Sequence, residues 1–371
     1  MESSEEHGSA LFNSTSNGTN VVECQPSESY DWIRYDIVIY FGTPIAVLGI
    51  ICNIILMRIF ATSEKRNSPF LYLFCLSILD FLICLIYIPL MSLDALAIYH
   101  KNGYLHELWH DYALILYGLA RQVQFASTYI VLLGTIERFG VVGNFSWAQY
   151  LVMNDSRKRI VLIVLICAFL IRIGTHFEYT IQFLAHCQVL ENFAFIPLLS
   201  KYQLFSQFNF YVFTLLHIIA PFVLLTSLNI MIITLMKRKL NHKHWRHTEF
   251  TQLPKIAALL RKECTNNINK EERNKLRYQT RTIIFIVSTY LTCNMLSFFI
   301  NILENIYPST SLLRDEDGNS SRFYTIAADF ISILVSINSC SRIFIYYFGN
   351  PELKHELVKL FSRRKNEIFI Y

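Results

Sequence analysis

Charge is scarce in this 371-residue chain: lysine, arginine, aspartate and glutamate make up 16%, against 53% hydrophobic residues. A soluble globular domain carries about 25% charge. Here the shortfall is gathered into long apolar blocks, which excludes an ordinary soluble domain and points to a membrane protein. Lysine and arginine are absent from residues 1–32, which hold six acids. With no basic n-region and no apolar h-region, that stretch is not expected to be a cleaved signal peptide. No internal repeat suggests the inverted halves of a secondary transporter. Paired carboxylates at useful spacing, a nucleophile with its base and a phosphate loop are also missing, so no enzymatic activity and no cofactor is expected.

What is present is a set of seven apolar stretches: roughly 33–60, 70–99, 110–140, 158–180, 203–236, 279–306 and 323–348. About 20 apolar residues suffice to cross a bilayer as a helix, so the fold class expected is an all-α, seven-span membrane bundle. The segment 237–281 holds thirteen Lys/Arg against four Asp/Glu, and further basic residues sit at Arg58, Lys65, Arg66, Arg157, Lys158, Arg159 and in "SRRK" (Ser362 to Lys365). With the N-terminus outside, all of these fall on one side, as the positive-inside rule requires. The expectation is an extracellular tail (1–32) with glycosylation acceptors at Asn13 ("NST") and Asn17 ("NGT"), a bundle (33–348) with a basic cytoplasmic loop (237–281), and a C-terminal segment (349–371). In that last segment Leu353, Leu357, Leu360 and Phe361 recur at helical spacing, which predicts an amphipathic helix on the inner leaflet. "HKHWRH" (His242 to His247) has no acid or thiol at ligand spacing; it reads as a solvated basic segment with no metal. No nucleic-acid partner is expected.

Several short motifs now fall in order on these spans: "GIICN" with Asn53, "LSILD" with Asp80, "ERF" (Glu137, Arg138, Phe139), "HIIAPF" with Pro221, and "NSCSRIFIY" ending at Tyr346. In this the chain resembles the rhodopsin-like (class A) G-protein-coupled receptors along nearly its whole length. The resemblance implies that Glu137 holds Arg138 in the off state, and that Arg138 swings toward a heterotrimeric G protein in the on state. Arginine stays charged in any environment, so in a half-dry cleft it must find a partner. The resemblance also places Asp80, Ser127, Asn338 and Ser339 in a polar cluster around a sodium ion.

The chain departs from that pattern in informative places. Arg342 stands where the family's seventh-span asparagine would, and two lone charges at mid-bilayer should pair. An Arg342–Asp80 ion pair in place of sodium is therefore expected, the alternative being Arg342 snorkelling toward the inner surface. The sixth span reads Cys293-Asn294-Met295-Leu296, without tryptophan or proline, so its kink should be weak. The fourth span has no tryptophan, and Ala113 sits where a cysteine usually opens the third. Of nine cysteines only Cys24 and Cys187 lie in segments expected outside; a bridge between them and an unpaired Cys187 both stay open.

No acid lies between Asp111 and Glu137, and the seventh span has no lysine. By the resemblance, an amine ligand is disfavoured and a retinal Schiff base excluded. The outer half is polar, with Arg121, Gln122, Gln124, Arg172, His176 and His217, and with Glu178, Asn301, Glu304 and Asp329 nearer the mouth. Both signs of charge suit an extracellular peptide ligand: Glu304 and Asp329 toward a ligand arginine, Arg121 toward a carboxylate or amide carbonyl. The sixth- and seventh-span patterns resemble invertebrate receptors for FMRFamide-type neuropeptides, including the nematode group. The expectation is a multi-pass plasma-membrane peptide receptor coupled to heterotrimeric G proteins. The alternatives are a chemosensory seven-span receptor for small odorants and, less favoured, a transporter or channel.

Overall fold

The structure, a computed structural model, describes residues 31–61, 70–188, 190–199, 201–249, 257–307, 310–314 and 321–368. Asn13, Asn17 and Cys24 lie outside the described residues, as do the side chains of His242 to His247 and Phe361. Among the described residues, seven helices are long and apolar enough to cross a membrane: Trp32–Phe60, Phe70–Tyr99, Gly103–Gly143, Asp155–Phe177, Leu215–Met236, Thr280–Glu304 and Arg322–Gly349, here spans one to seven.

Span three is the central post. Of its apolar window 72% is buried, against 22% in spans four and five. It packs on spans two, four and five, while span seven packs on spans one, two and six. Leu162, Ile163, Ile166 and Leu170 of span four lie exposed along one helix. A face of that kind is stable only against lipid or another apolar surface.

Three spans contain a π-helical turn: Asp36–Gly42, Ile88–Ser92 and Phe213–Ile219. Pro44 and Pro221 each follow one by two residues and Pro89 lies inside another. Proline has no N–H to donate, and its ring displaces the carbonyl one turn earlier. The helix absorbs the misfit by widening one turn. Span six has no proline and runs within one uninterrupted α-helix, Ala257–Ile306.

Two sequence expectations need correction. The fourth span does not continue as helix to residue 180. Its α-helix stops at Ile171, a 3-10 turn covers Ile173–Phe177, and Tyr179–Phe183 (β1) pairs antiparallel with Phe193–Pro197 (β2). Aromatic and β-branched residues suit that pleated pair, and Phe193 stacks on His110 at the start of span three with the Phe195 ring tilted beside it. Nor is 237–281 simply a loop. Its ends extend spans five and six as the helices Ala220–Glu249 and Ala257–Ile306, because lysine, arginine, glutamate and leucine favour helix once a packed helix nucleates it.

After span seven, Asn350 is extended and a helix begins at Pro351 (Pro351–Ile368). Leu353 and Leu357 are buried in the main core cluster, so this helix docks on the bundle through the expected apolar face.

Candidate functional site

Polar side chains gather at three depths. At the mouth where span one begins, Asp329 of span seven accepts from Arg34 of span one (Nε to Oδ2 2.7 Å, Nη2 to Oδ1 3.5 Å). One turn further out, Arg322 pairs with Asp31, holding that carboxyl below the usual carboxylate range. Tyr324 donates to Glu304 across spans seven and six, at 2.7 Å. Spans one, six and seven are thus joined by their acids.

The opposite wall of the same mouth is basic. Arg121 reaches the Tyr117 hydroxyl one turn back and lies over that ring. Buried Arg172, at the end of the span-four α-helix, shares this region with Glu178 and His217. Burial pushes the Glu178 carboxyl up, with Arg172 and Arg121 pulling it back. His176 bonds to Gln122 at 3.2 Å, and its ring lies against Gly118, where a Cβ would come within 2.3 Å of Nδ1. Gln124 lines a cavity of about 40 Å³ between spans two, three and seven. Ile83, Ile86, Ala120 and Val335 also line it.

At mid-depth Asp80 is fully buried, and so is Arg342 (1% exposed); the two form an ion pair. Ser339 donates to the other Asp80 oxygen at 3.1 Å, and Asn53 donates to the carbonyls of Gly49 and Ser339. No hydrogen bond joins Ser127 or the Asn338 side chain to Asp80 among the described residues, which departs from the cluster the resemblance implied. The physical reason is reach, because a guanidinium on span seven serves the carboxylate directly. These residues do not fit a sodium ion, since a cation at Asp80 would face Arg342. Asn294 is spent on its own helix, donating to Tyr290 O at 2.8 Å.

At the far mouth the triplet that opened the resemblance is buried: Glu137 is 1% exposed and Arg138 5%. The Glu137 carboxylate receives both arms of Arg157, Nε to Oε2 at 3.0 Å and Nη2 to Oε1 at 3.1 Å, and the Tyr72 hydroxyl at 2.6 Å. In this structure the carboxylate's hydrogen bonds come from Arg157 and Tyr72 rather than from Arg138. Adjacent helix positions point about 100° apart, whereas a guanidinium from another element approaches the carboxylate head-on. Phe139 packs on Phe145, and a Cβ on Gly140 would sit 2.6 Å from the Trp147 ring, so the segment 144–153 is seated on span three. Arg138 lines a cavity of about 20 Å³ with Tyr72, Leu73, Thr282 and Asn350. Tyr346 is buried, its ring edge-on to Phe60.

Sequence reasoning missed Tyr72, Arg34 and Tyr324, and used Arg157 only for topology. Each partners a residue far away in the chain. The one local signal is a polar head within one turn of an apolar helix end, which Arg34 and Tyr324 show. Cys187 is disulfide-bonded; its partner is not among the described residues.

Comparison with known proteins agrees with this architecture. The chain is similar to an FMRFamide peptide receptor (frpr-18) of Caenorhabditis elegans, 22% identical over 315 residues, which are 85% of this chain and 66% of that protein. The chain therefore spans about two thirds of that relative's length. The profile of the 7 transmembrane receptor (rhodopsin family) matches residues 13–346. This chain belongs to the rhodopsin family of seven-transmembrane receptors.

Proposed function

We propose that the protein is a plasma-membrane receptor for an extracellular peptide that activates a heterotrimeric G protein at the mouth bearing Arg138. The observation carrying the ligand reading is the bipolar N-terminal mouth. Its acids, Glu304 and Asp329, sit on spans six and seven, and its guanidiniums, Arg121 and Arg172, on spans three and four. A short peptide with an arginine and an amidated end offers a cation that would compete with Arg34 for Asp329 and carbonyl acceptors for the guanidiniums. The similar nematode protein is named for such a peptide.

Two features support an outside N-terminal mouth. The basic helix ends at 237–249 and 257–281, which extend spans five and six, lie at the opposite end. Cys187, beside the β1–β2 hairpin, is disulfide-bonded, which suits an oxidising compartment. We assign Cys24 as its partner, and Asn13 and Asn17 as glycosylated. The test is a library of amidated peptides applied to cells expressing the chain, read by calcium and cyclic nucleotides. Activation by arginine-containing peptides is expected; a response only to volatile small molecules would overturn the peptide assignment.

A further inference from the structure

Two arginines, Arg138 and Arg157, stand beside one carboxylate, Glu137, and all three are nearly sealed from solvent, at 5%, 2% and 1% exposed. The carboxylate cannot serve both equally. Arg157 arrives from the start of span four and takes one oxygen with each arm, at 3.0 and 3.1 Å, in the fork geometry that makes arginine–carboxylate pairs strong. Tyr72 of span two adds a short bond to Oε2, and its ring lies 6.0 Å below the Arg157 guanidinium. Arg138, next along the same helix, still feels Glu137 as an attraction and Arg157 as a weaker like charge, but the bonds to the carboxylate come from Arg157 and Tyr72.

We infer that Arg157 is the standing partner of Glu137 and acts as a positioning residue that biases the receptor toward its active state. By engaging the carboxylate from span four, it weakens the hold of Glu137 on Arg138. Arg138 is then poised over the small cavity it lines with Tyr72 and Thr282, where an incoming G-protein segment would meet it. The off state of a pair left to itself, Glu137 closed on Arg138, is available only when Arg157 lets go. The segment 144–153, seated on Gly140 through Trp147 and leading directly into Arg157, gives the transducer surface a mechanical handle on that choice. The inference rests on the proposed G-protein coupling through Arg138.

The sign of the effect separates this role from simple structural support. In nanodiscs with purified heterotrimer, ligand-independent nucleotide exchange is measured per receptor for wild type and Arg157→Gln. The variant is expected to fall by about tenfold or more, the scale of losing charge-assisted hydrogen bonds, because Glu137 then turns to Arg138. Glu137→Gln is expected to rise, and Glu137→Gln with Arg157→Gln to match Glu137→Gln alone, since Arg157 acts only through that carboxylate. Arg157→Lys, keeping charge without the fork, should lie between. Tyr72→Phe removes one bond with little change in shape; it should lower exchange about two- to tenfold, and it decides the matter if Arg157→Gln does not reach the membrane. A rise in Arg157→Gln or Tyr72→Phe overturns the inference. So does an equal effect of Arg157→Gln with and without Glu137, or wild-type exchange no higher than that of Arg138→Ala. Exchange restored by agonist but untouched by Arg138→Ala would instead sink the coupling role of Arg138 itself.

Discussion

Replacing Asp80 by asparagine removes the carboxylate facing Arg342, in a site where the two side chains are 0% and 1% exposed. At contact, roughly 3 Å, and an effective dielectric near 20, two unit charges attract by about 5 kcal/mol. Each ion gave up several kcal/mol of hydration to be there, so the pair as a whole is close to neutral for stability. The single change is not neutral. A guanidinium cannot shed its proton, and Arg342 Nε and Nη2 meet no hydrogen-bond acceptor among the described residues. Asp80→Asn should therefore destabilise by about 3–5 kcal/mol, lowering the unfolding midpoint by roughly 6–10 °C at about 2 °C per kcal/mol. Arg342→Met should be milder, because an orphaned buried carboxyl can take up a proton. The double variant Asp80→Asn, Arg342→Met should recover to within about 1–2 kcal/mol of wild type. The buried free thiols Cys52, Cys84, Cys293 and Cys340 provide the assay: a thiol-reactive dye reports their exposure as purified receptor is heated. The reasoning is refuted if Asp80→Asn melts with wild type, or if the two single effects simply add in the double variant.

Sodium should not shift the wild-type midpoint relative to potassium, whereas Arg342→Asn, which frees the Asp80 carboxylate, should gain a sodium-dependent rise in the same melt. Asp329→Asn breaks a pair whose carboxylate is 8% and guanidinium 22% exposed; stability should fall by about 1–3 kcal/mol. Its larger effect should be on potency, a roughly tenfold or greater loss for arginine-containing peptides with little change for neutral analogues, measured by concentration–response. Gly118→Ala pushes a Cβ to 2.3 Å from His176 Nδ1 and should destabilise by about 1–3 kcal/mol, with His176→Ala restoring the midpoint in the double variant. Cys187→Ser should lower the midpoint by an amount worth about 2–4 kcal/mol and abolish any further effect of reductant.

The chain by itself determined the seven spans, because hydropathy is summed over neighbours in sequence and a bilayer tests each stretch on its own length. It also pointed to the Asp80–Arg342 pair, since two charges alone on apolar helices at one depth have nowhere else to turn. The widened turns beside Pro44, Pro89 and Pro221 were set by the structure, not read from the sequence. Only the tertiary structure decided who holds Glu137. Four arginines lie within 22 residues of it (Arg121, Arg138, Arg157 and Arg159), and the adjacent one looks nearest when distance is counted along the chain. Helix geometry turns that neighbour aside, and packing of span four against span three brings Arg157 in from 20 positions away. The pairing of Arg34 with Asp329 spans 295 positions in the same way. Short-range chemistry sets what each segment is, while the choice among equally charged partners is made by the angle and distance at which packed helices present them.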